Sequence, residues 1–340
     1  MIDKLLPFGE LQGEDAAKAA RLVTEVLSQV QEQASKPLTV SIMGQTGVGK
    51  SSLLNALFDT SLPTSDDKPC TKYITSVPIG GIFKDRLLFY DLPGIGETEE
   101  ADERYLEQYR QRLLDSDVVI WAIHADNRSI SFDLQALGKI LEPFDEAKKG
   151  TLMSKISLVL TKADVIGSDP WTLVKLGNEG MFGPHKRIKD LLARKSVYYQ
   201  DHFIKPYGHL ITSETHNDSN FDINEPPFSS NQYMVRYRGF MDGEALSKLK
   251  LQYPQHTAII DRLYHNYQVI YCSAYFKYNL GRLMLVVINK LGREAIDRFS
   301  GFVKQGSLNR LPFNQARQYY NMVIVDRDGR KLFDLTDQRL

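Results

Sequence analysis

Four short apolar runs recur along the chain, each of a length typical of buried strands. They cover residues 38–43, 86–90, 156–160 and 269–272. Residues 52–58 follow the first run with helical spacing. Buried strands that alternate with helices are typical of α/β proteins. The pattern therefore predicts a mostly parallel sheet that is flanked by helices.

A large insertion is predicted before the last of these strands. About 100 residues separate Asp164 from Ser273, whereas connections between core elements are normally short. Polar and turn-forming residues dominate 212–227, which predicts loops there. Helical spacing elsewhere in the insertion predicts helices at 184–203, 243–250 and 258–265.

Both ends of the chain carry additions to this core. Residues 14–33 place alanine, leucine and valine at helical spacing, which predicts an amphipathic helix that ends before the first strand. In the tail, residues 320–325 and 331–335 flank an Asp-Gly turn. Two apolar runs around such a turn predict a β-hairpin.

A phosphate loop stands between the first strand and the first helix. Its backbone N–H groups and the helix N-terminus are expected to face one anion site, which Ser52 completes. Lys50 adds a positive charge for the β- and γ-phosphates, and the Ser51 hydroxyl can coordinate magnesium. The sequence therefore predicts that the chain binds a nucleoside triphosphate. The motif G-x-x-x-x-G-K-[ST] is matched by Gly44-Gln45-Thr46-Gly47-Val48-Gly49-Lys50-Ser51.

The end of the second strand carries a candidate magnesium and γ-phosphate segment, Asp91-Leu92-Pro93-Gly94. Asp91 at a strand tip can hold magnesium through water, and Gly94 allows a backbone N–H to approach the γ-phosphate. A D-x-x-G segment alone is a weak signal, and it predicts this role here because a phosphate loop precedes it in the chain.

The third strand ends in Thr161-Lys162-Ala163-Asp164, which predicts guanine recognition. The Asp164 carboxylate can accept hydrogen bonds from the N1–H and the N2 amine of guanine, whereas adenine has no N2 amine and would leave it unpaired. The stem of Lys162 can lie along the base plane. The backbone of Ser273-Ala274, after the last strand, can contact the guanine O6.

These segments together resemble the translation-factor-related GTPases, and within them the bacterial Era- and TrmE-like families. The resemblance covers residues 38–127, 155–164 and 268–291, and the part at 99–127 is most similar to Era-like GTPases carried by bacterial prophages. It implies that Thr71 is the first-switch threonine, which ligates magnesium only when the γ-phosphate is present. Nearby alternatives for that role are Thr60, Thr64 and Thr75.

Two departures from the family pattern concern hydrolysis. Ile95 follows Gly94, where small signalling GTPases carry the glutamine that orients the attacking water. Glu97 stands where TrmE-like enzymes place a water-positioning glutamate, although a glutamate in a loop is more often simply solvated. Gly47 replaces the asparagine of potassium-activated relatives, which disfavours stimulation by potassium.

Composition is consistent with a cytoplasmic protein. Forty-two cationic residues balance forty-two anionic ones, so no global field attracts the chain to nucleic acid or lipid. Two cysteines, Cys70 and Cys272, do not form a disulfide framework. The start of the chain does not have the pattern of a signal peptide, and no stretch is apolar enough to predict a membrane span.

The sequence thus predicts a GTPase that hydrolyses GTP to GDP and phosphate with magnesium and acts as a molecular switch. The alternative is a septin-like, GTP-dependent assembly protein with little or no turnover. One candidate partner is a second copy bound through the GTPase domain. The cations of 184–203 are commonly explained by a solvated helix face, and the alternative is a patch that binds RNA or the ribosome. The predicted domains are an N-terminal helix (1–36), the GTP-binding domain (37–165 and 268–293), an inserted helical and loop region (166–267) and a C-terminal extension with the hairpin (294–340).

Overall fold

The computed structural model describes residues 37–58, 60–64, 75–77, 87–93, 99–127, 129–291, 307–319 and 322–336. All of them except the first two belong to one compact unit, Thr39–Leu340. The helix predicted at 14–33 lies outside the described residues. The same holds for three residues of the predicted site, Thr71, Gly94 and Glu97.

The strands among the described residues are β1 (Leu38–Gly44), β2 (Thr75–Val77), β3 (Leu87–Asp91), β4 (Val118–His124), β5 (Ile156–Thr161), β6 (Trp171–Leu176), β7 (Glu179–Gly183), β8 (Thr212–His216), β9 (Phe228–Ser230), β10 (Met234–Arg238), β11 (Ile270–Tyr271), β12 (Leu311–Pro312), β13 (Met322–Val325) and β14 (Lys331–Asp334). The α-helices there are α1 (Lys50–Phe58), α2 (Glu99–Asp115), α3 (Ser131–Leu141), α4 (Glu146–Lys155), α5 (Lys186–Tyr199), α6 (Gly243–Gln252), α7 (Thr257–His265) and α8 (Leu280–Lys290).

A six-stranded sheet forms the centre of this unit, in the order β11-β5-β4-β1-β3-β2. The pairs β1–β4, β4–β5 and β5–β11 are parallel, whereas the edge strand β2 runs antiparallel to β3. Every residue of β5 is buried, as expected for a parallel sheet covered on both faces. The mostly parallel sheet that the apolar runs predict is confirmed.

The helices predicted inside the insertion are also present, as α5, α6 and α7. Helix α5 continues into a π-helical turn at Gln200–Ile204. It buries Ile188, Leu192 and Tyr199 against the core, and its cationic residues stand mostly on the solvent side. No helix in the part of the chain that the structure describes is long and apolar enough to cross a membrane.

The prediction of a helical and loop insertion at 166–267 is wrong for five segments, which form β6 to β10. The clearest case is β8, which pairs antiparallel with β10 although its residues are polar. Its buried hydroxyls have internal partners: Ser213 Oγ donates to the Leu263 carbonyl (2.8 Å) and Thr215 Oγ to Asn289 Oδ1 (2.9 Å). Hydrogen bonding therefore replaces apolar burial on this strand, and its sequence carries no hydrophobic alternation.

The C-terminal hairpin is confirmed, because β13 pairs antiparallel with β14. Strand β13 also pairs in parallel with β6 of the insertion, with Met322 opposite Trp171. The result is a five-stranded sheet in the order β12-β7-β6-β13-β14. Insertion and tail, which the sequence suggests are separate additions, therefore share one sheet.

Candidate nucleotide-binding site

The phosphate loop begins where β1 meets β4. Gly44 has φ +144°, and a Cβ atom there would lie 2.1 Å from the Ala122 carbonyl oxygen. Only glycine tolerates both this backbone conformation and this close approach. Val48 is buried, and α1 begins at Lys50. The strand, loop and helix that the motif requires are thus all present.

Lys50 lies inside the curve of the loop. Its side-chain ammonium donates to the main-chain carbonyls of Gly44 and Gln45, each at 3.1 Å. The residue is only 7% exposed. A buried ammonium in this position provides positive charge where the phosphates of a nucleotide are expected.

Ser51 and Asp91 meet at the edge of the loop. Ser51 Oγ donates to Asp91 Oδ2 at 2.9 Å, and Asp91 is 3% exposed at the end of β3. A hydroxyl and a carboxylate are oxygen ligands of the kind that magnesium prefers. The two described members of the predicted magnesium set therefore lie together and fit this ion, while the third, Thr71, lies outside the described residues.

The end of β5 lies beside the phosphate loop. Thr161 Oγ lies within hydrogen-bonding distance of the carbonyl oxygens of Val48 (2.5 Å) and Ile123 (3.1 Å), which share its one hydrogen. Lys162 adopts the left-handed conformation, with φ +52°. A Cβ added at Gly49 would lie 3.4 Å from Lys162 Cε. The lysine stem therefore passes over the phosphate loop, next to where a base would lie.

The two predicted base-reading segments are hydrogen-bonded to each other. Ser273 Oγ donates to Asp164 Oδ1, and the Ala163 amide donates to the Cys272 carbonyl at 3.0 Å. Ala274 begins the turn after Ser273, and its carbonyl accepts from the Lys277 amide at 3.3 Å. The fold therefore brings together all predicted base-contacting residues.

An aromatic cluster supports this turn from the five-stranded sheet. The Phe276 ring lies 4.8 Å from Trp171 and 4.3 Å from Phe182, measured between ring centroids. Tyr319 of the tail packs against the same ring at 5.6 Å. Sequence reasoning missed this support, because the three packing partners come from the insertion and from the tail.

His124 is a further residue that sequence reasoning did not select. It ends β4 opposite Thr161 in the sheet register. Burial lowers its pKa, and Lys162 lowers it further, whereas Asp126 and Asp164 raise it. The imidazole therefore favours its neutral form beside the predicted base-reading residues.

Asp133 of α3 was also missed. Its carboxylate is fully buried and accepts a hydrogen bond from the side chain of Gln45 in the phosphate loop (2.8 Å). Its only signal in the sequence is an acidic residue in the first turn of a helix whose other buried residues are apolar. The helix dipole commonly explains an acidic residue at that position.

The predicted phosphate-binding and base-reading segments lie at the carboxyl ends of a mostly parallel sheet, which is the arrangement of a P-loop GTPase domain. In agreement, residues 39–162 match the family described as 50S ribosome-binding GTPase. The match supports an Era/TrmE-like GTPase domain in this part of the chain.

Individual relatives cover only part of the chain. It is 38% identical over 111 residues to the uncharacterized protein YkfA of Escherichia coli strain K12, which is 32% of this chain and 38% of the relative. It is 33% identical over 88 residues to the GTPase Era of Deinococcus radiodurans, 25% of this chain and 27% of the relative. The chain thus spans less than two fifths of the length of these curated relatives.

Among solved structures, the chain is similar to Era in complex with MgGDPNP and nucleotides 1506–1542 of 16S ribosomal RNA. The identity is 23% and the TM-score 0.36, over 52% of this chain and 50% of the other. The membership in the prophage-carried subgroup stays a prediction.

Proposed function

We propose that the chain binds GTP with magnesium, hydrolyses it to GDP and phosphate, and acts as a nucleotide-dependent switch. The observation that carries the proposal is the contact between the two halves of the site. The Lys162 stem lies over Gly49 of the phosphate loop, and Asp164 is held by Ser273 beside it. One ligand with a guanine base and a triphosphate would contact both halves at once.

Each described residue has a role in this proposal. Lys50 and the loop amides neutralise phosphate charge. When the nucleotide binds, the Lys50 ammonium would exchange the Gly44 and Gln45 carbonyls for phosphate oxygens. Ser51 would hold magnesium directly and Asp91 through water. The ion would neutralise charge on the β- and γ-phosphate oxygens. Asp164 reads guanine, and Lys162 covers its face.

The switch itself depends on residues outside the described part of the chain. We assign magnesium ligation to Thr71, contact with the γ-phosphate to Gly94 and positioning of the attacking water to Glu97. Loss of the γ-phosphate would release Thr71 and Gly94, which converts hydrolysis into a conformational signal. Because Ile95 cannot orient water, the alternative to Glu97 is a group from a second copy or another partner.

Phosphate release under multiple turnover, measured over a wide range of protein concentration, tests this proposal. Lys50→Ala serves as the blank for contaminating GTPases. A specific rate that rises steeply with concentration supports hydrolysis activated by a second copy, and a constant rate supports hydrolysis by the single chain. Absence of turnover at every concentration, with GTP bound, supports the septin-like assembly protein instead.

The role of Glu97 is tested separately by single-turnover kinetics of Glu97→Ala. A group that acts only on the transition state should lower the rate and leave GTP affinity unchanged. The neighbouring carboxylate substitution Glu99→Ala is the matched control. An unaltered rate in Glu97→Ala would show that Glu97 does not position the attacking water.

A further inference from the structure

The side chain of Gln45 links the phosphate loop to helix α3. Gln45 Nε2 donates to Asp133 Oδ2 at 2.8 Å, while the Gln45 main-chain carbonyl accepts from Lys50 at 3.1 Å. The same loop residue is thus held at its backbone by the phosphate-binding lysine and at its side chain by Asp133. A movement of the loop on nucleotide binding would therefore change the geometry of both hydrogen bonds.

Asp133 joins this loop to the central strand β4. Its second oxygen, Oδ1, accepts from Trp121 Nε1 at 3.0 Å. Asn127 makes a longer contact to Oδ2, at 3.5 Å. Both oxygens of the carboxylate therefore have a donor, and these donors come from the loop, the strand and the turn that follows the strand.

Trp121 carries the connection on to the insertion. Its ring is fully buried and meets the Phe203 ring edge to face, with centroids 5.0 Å apart. Phe203 lies in the π-helical turn that extends α5. A continuous chain of direct contacts therefore runs from Gln45 through Asp133 and Trp121 to Phe203.

A fully buried carboxylate is costly unless hydrogen bonds and local charge compensate for the lost water. Burial raises the pKa of Asp133, whereas its hydrogen bonds to Trp121 and Gln45 lower it. The first turn of α3, where Asp133 lies, also favours a negative charge. An apolar side chain would fill this site without that cost, but it would leave Gln45 without its acceptor.

We infer that Asp133 is a positioning residue for the phosphate loop: it holds Gln45 in place and couples the loop, through Trp121, to Phe203 of the insertion. The inference rests on the proposed binding of GTP and extends it. Nucleotide binding would then change the surroundings of the fully buried Trp121 indole through these contacts. A purely structural Asp133 would contribute to stability alone.

The chain offers a direct optical test, because Trp121 and Trp171 are its two tryptophans. The Trp171 indole N–H is buried without a hydrogen-bond partner among the described residues, so Trp171→Phe removes this second fluorophore and breaks no such bond. Because Trp171 also packs against Phe276, the GTP affinity of Trp171→Phe is measured first and is the reference for every variant made in it. In that background, titration with GTP and with GDP should change the Trp121 emission. Calorimetry on the same samples gives the nucleotide affinities.

Gln45→Ala should abolish the emission change and weaken GTP binding by about 10-fold, as expected for losing one hydrogen bond to a charged group. Gln135→Ala is the matched control, since Gln135 is exposed on the same helix as Asp133; it should keep both signals. Asp133→Ala should behave like Gln45→Ala. Asp133→Asn should restore the emission change, because the Gln45 amide can rotate to accept from the new N–H.

These measurements distinguish failure of the Asp133 inference from failure of the proposed GTP binding. An emission change that persists in Gln45→Ala, with unchanged GTP affinity, would overturn the inference alone. So would GTP binding by the parent without any change at Trp121. Absence of GTP binding by the parent would overturn the proposed function and the inference together. If Asp133→Ala does not fold, Gln45→Ala and Asp133→Asn still decide the matter.

Discussion

Ser273 donates its hydroxyl hydrogen to the carboxylate of Asp164, although 109 positions separate the two residues in sequence. The same hydroxyl oxygen accepts from the Phe276 amide at 3.0 Å, so its direction is fixed. The carboxylate that we propose reads the base is thus oriented by hydrogen bonds within the fold. A ligand that binds such a preorganised group loses less free energy to ordering than one that must organise it.

Removing this hydroxyl should weaken GTP binding while the fold is retained. We expect Ser273→Ala to raise the Kd for GTP by about 10-fold or more, the loss typical of one hydrogen bond to a charged group. Calorimetric titration with GTP and with GDP should show similar losses, because both share the base. Ser157→Ala is the matched control: its buried hydroxyl has no partner among the described residues. Equal affinity in the two variants would contradict the proposed role of Ser273.

Lys50→Ala tests the phosphate half of the site. Removing a buried cation from a triphosphate clamp costs on the order of 2–5 kcal/mol of binding free energy. We therefore expect GTP affinity to fall by a factor of about 30 or more. Lys148→Ala is the control, since that side chain is exposed on α4. Wild-type GTP affinity in Lys50→Ala would refute the assignment of the phosphate loop.

Much of this site could be predicted because its segments are local. Gly44 to Ser51 form a motif whose strand and helix lie directly beside it, and the runs before Asp91 and Asp164 are short and apolar. Each can be recognised without knowing what it packs against. The tail hairpin was predictable for the same reason, as its turn and both strands lie within about 15 residues.

The remainder depends on contacts between distant segments. The pairing of β13 with β6 joins Met322 to Trp171, and neither strand signals its partner in its own sequence. Asp133 is an acidic residue among the apolar residues of the buried helix face, and only the fold shows that Gln45 reaches it. Sequence periodicity reports which residues are apolar, and it carries no information about which polar residues meet in the core.

Lys290 should make stability depend on pH. Its side-chain nitrogen donates to the carbonyls of Ser154 (3.0 Å) and Ile156 (2.6 Å), and burial lowers its pKa to about 7. In the unfolded chain the ordinary pKa is about 10.4. Between these values the unfolded state binds more protons, so the free energy of unfolding should rise with pH and fall as pH drops toward 7.

Chemical denaturation of wild type and Lys290→Gln at pH 7, 8 and 9 measures this effect. The glutamine keeps a donor for the carbonyls but does not titrate, so its stability should vary less across the series. The slope for one proton is at most about 1.4 kcal/mol per pH unit. Lys148→Gln, on an exposed side chain, should keep the wild-type slope. Parallel slopes in wild type and Lys290→Gln would show that Lys290 keeps an ordinary pKa.

The choice of base gives the sharpest test of the site. Guanine presents two donors to Asp164, N1–H and N2–H₂, and a carboxylate accepts both in charge-assisted bonds. Asp164→Asn places an NH₂ group against the guanine amine, donor against donor. Xanthine carries a carbonyl at that position and fits the new side chain. The substitution should therefore lower GTP affinity by about 100-fold and raise affinity for xanthosine triphosphate.

Paired titrations with both nucleotides distinguish this exchange of preference from a general loss of binding. Asp126→Asn is the matched control, because it removes one negative charge from the same neighbourhood. Both carboxylates are near His124, whose pKa Asp126 and Asp164 raise. An effect of charge alone would appear in both variants, whereas a hydrogen-bond effect belongs to Asp164→Asn. Ser273 can donate to the amide oxygen of the new side chain, so the pocket should keep its shape. If Asp164→Asn still prefers GTP, then Asp164 does not read the base, and the guanine half of the proposed function is lost with it.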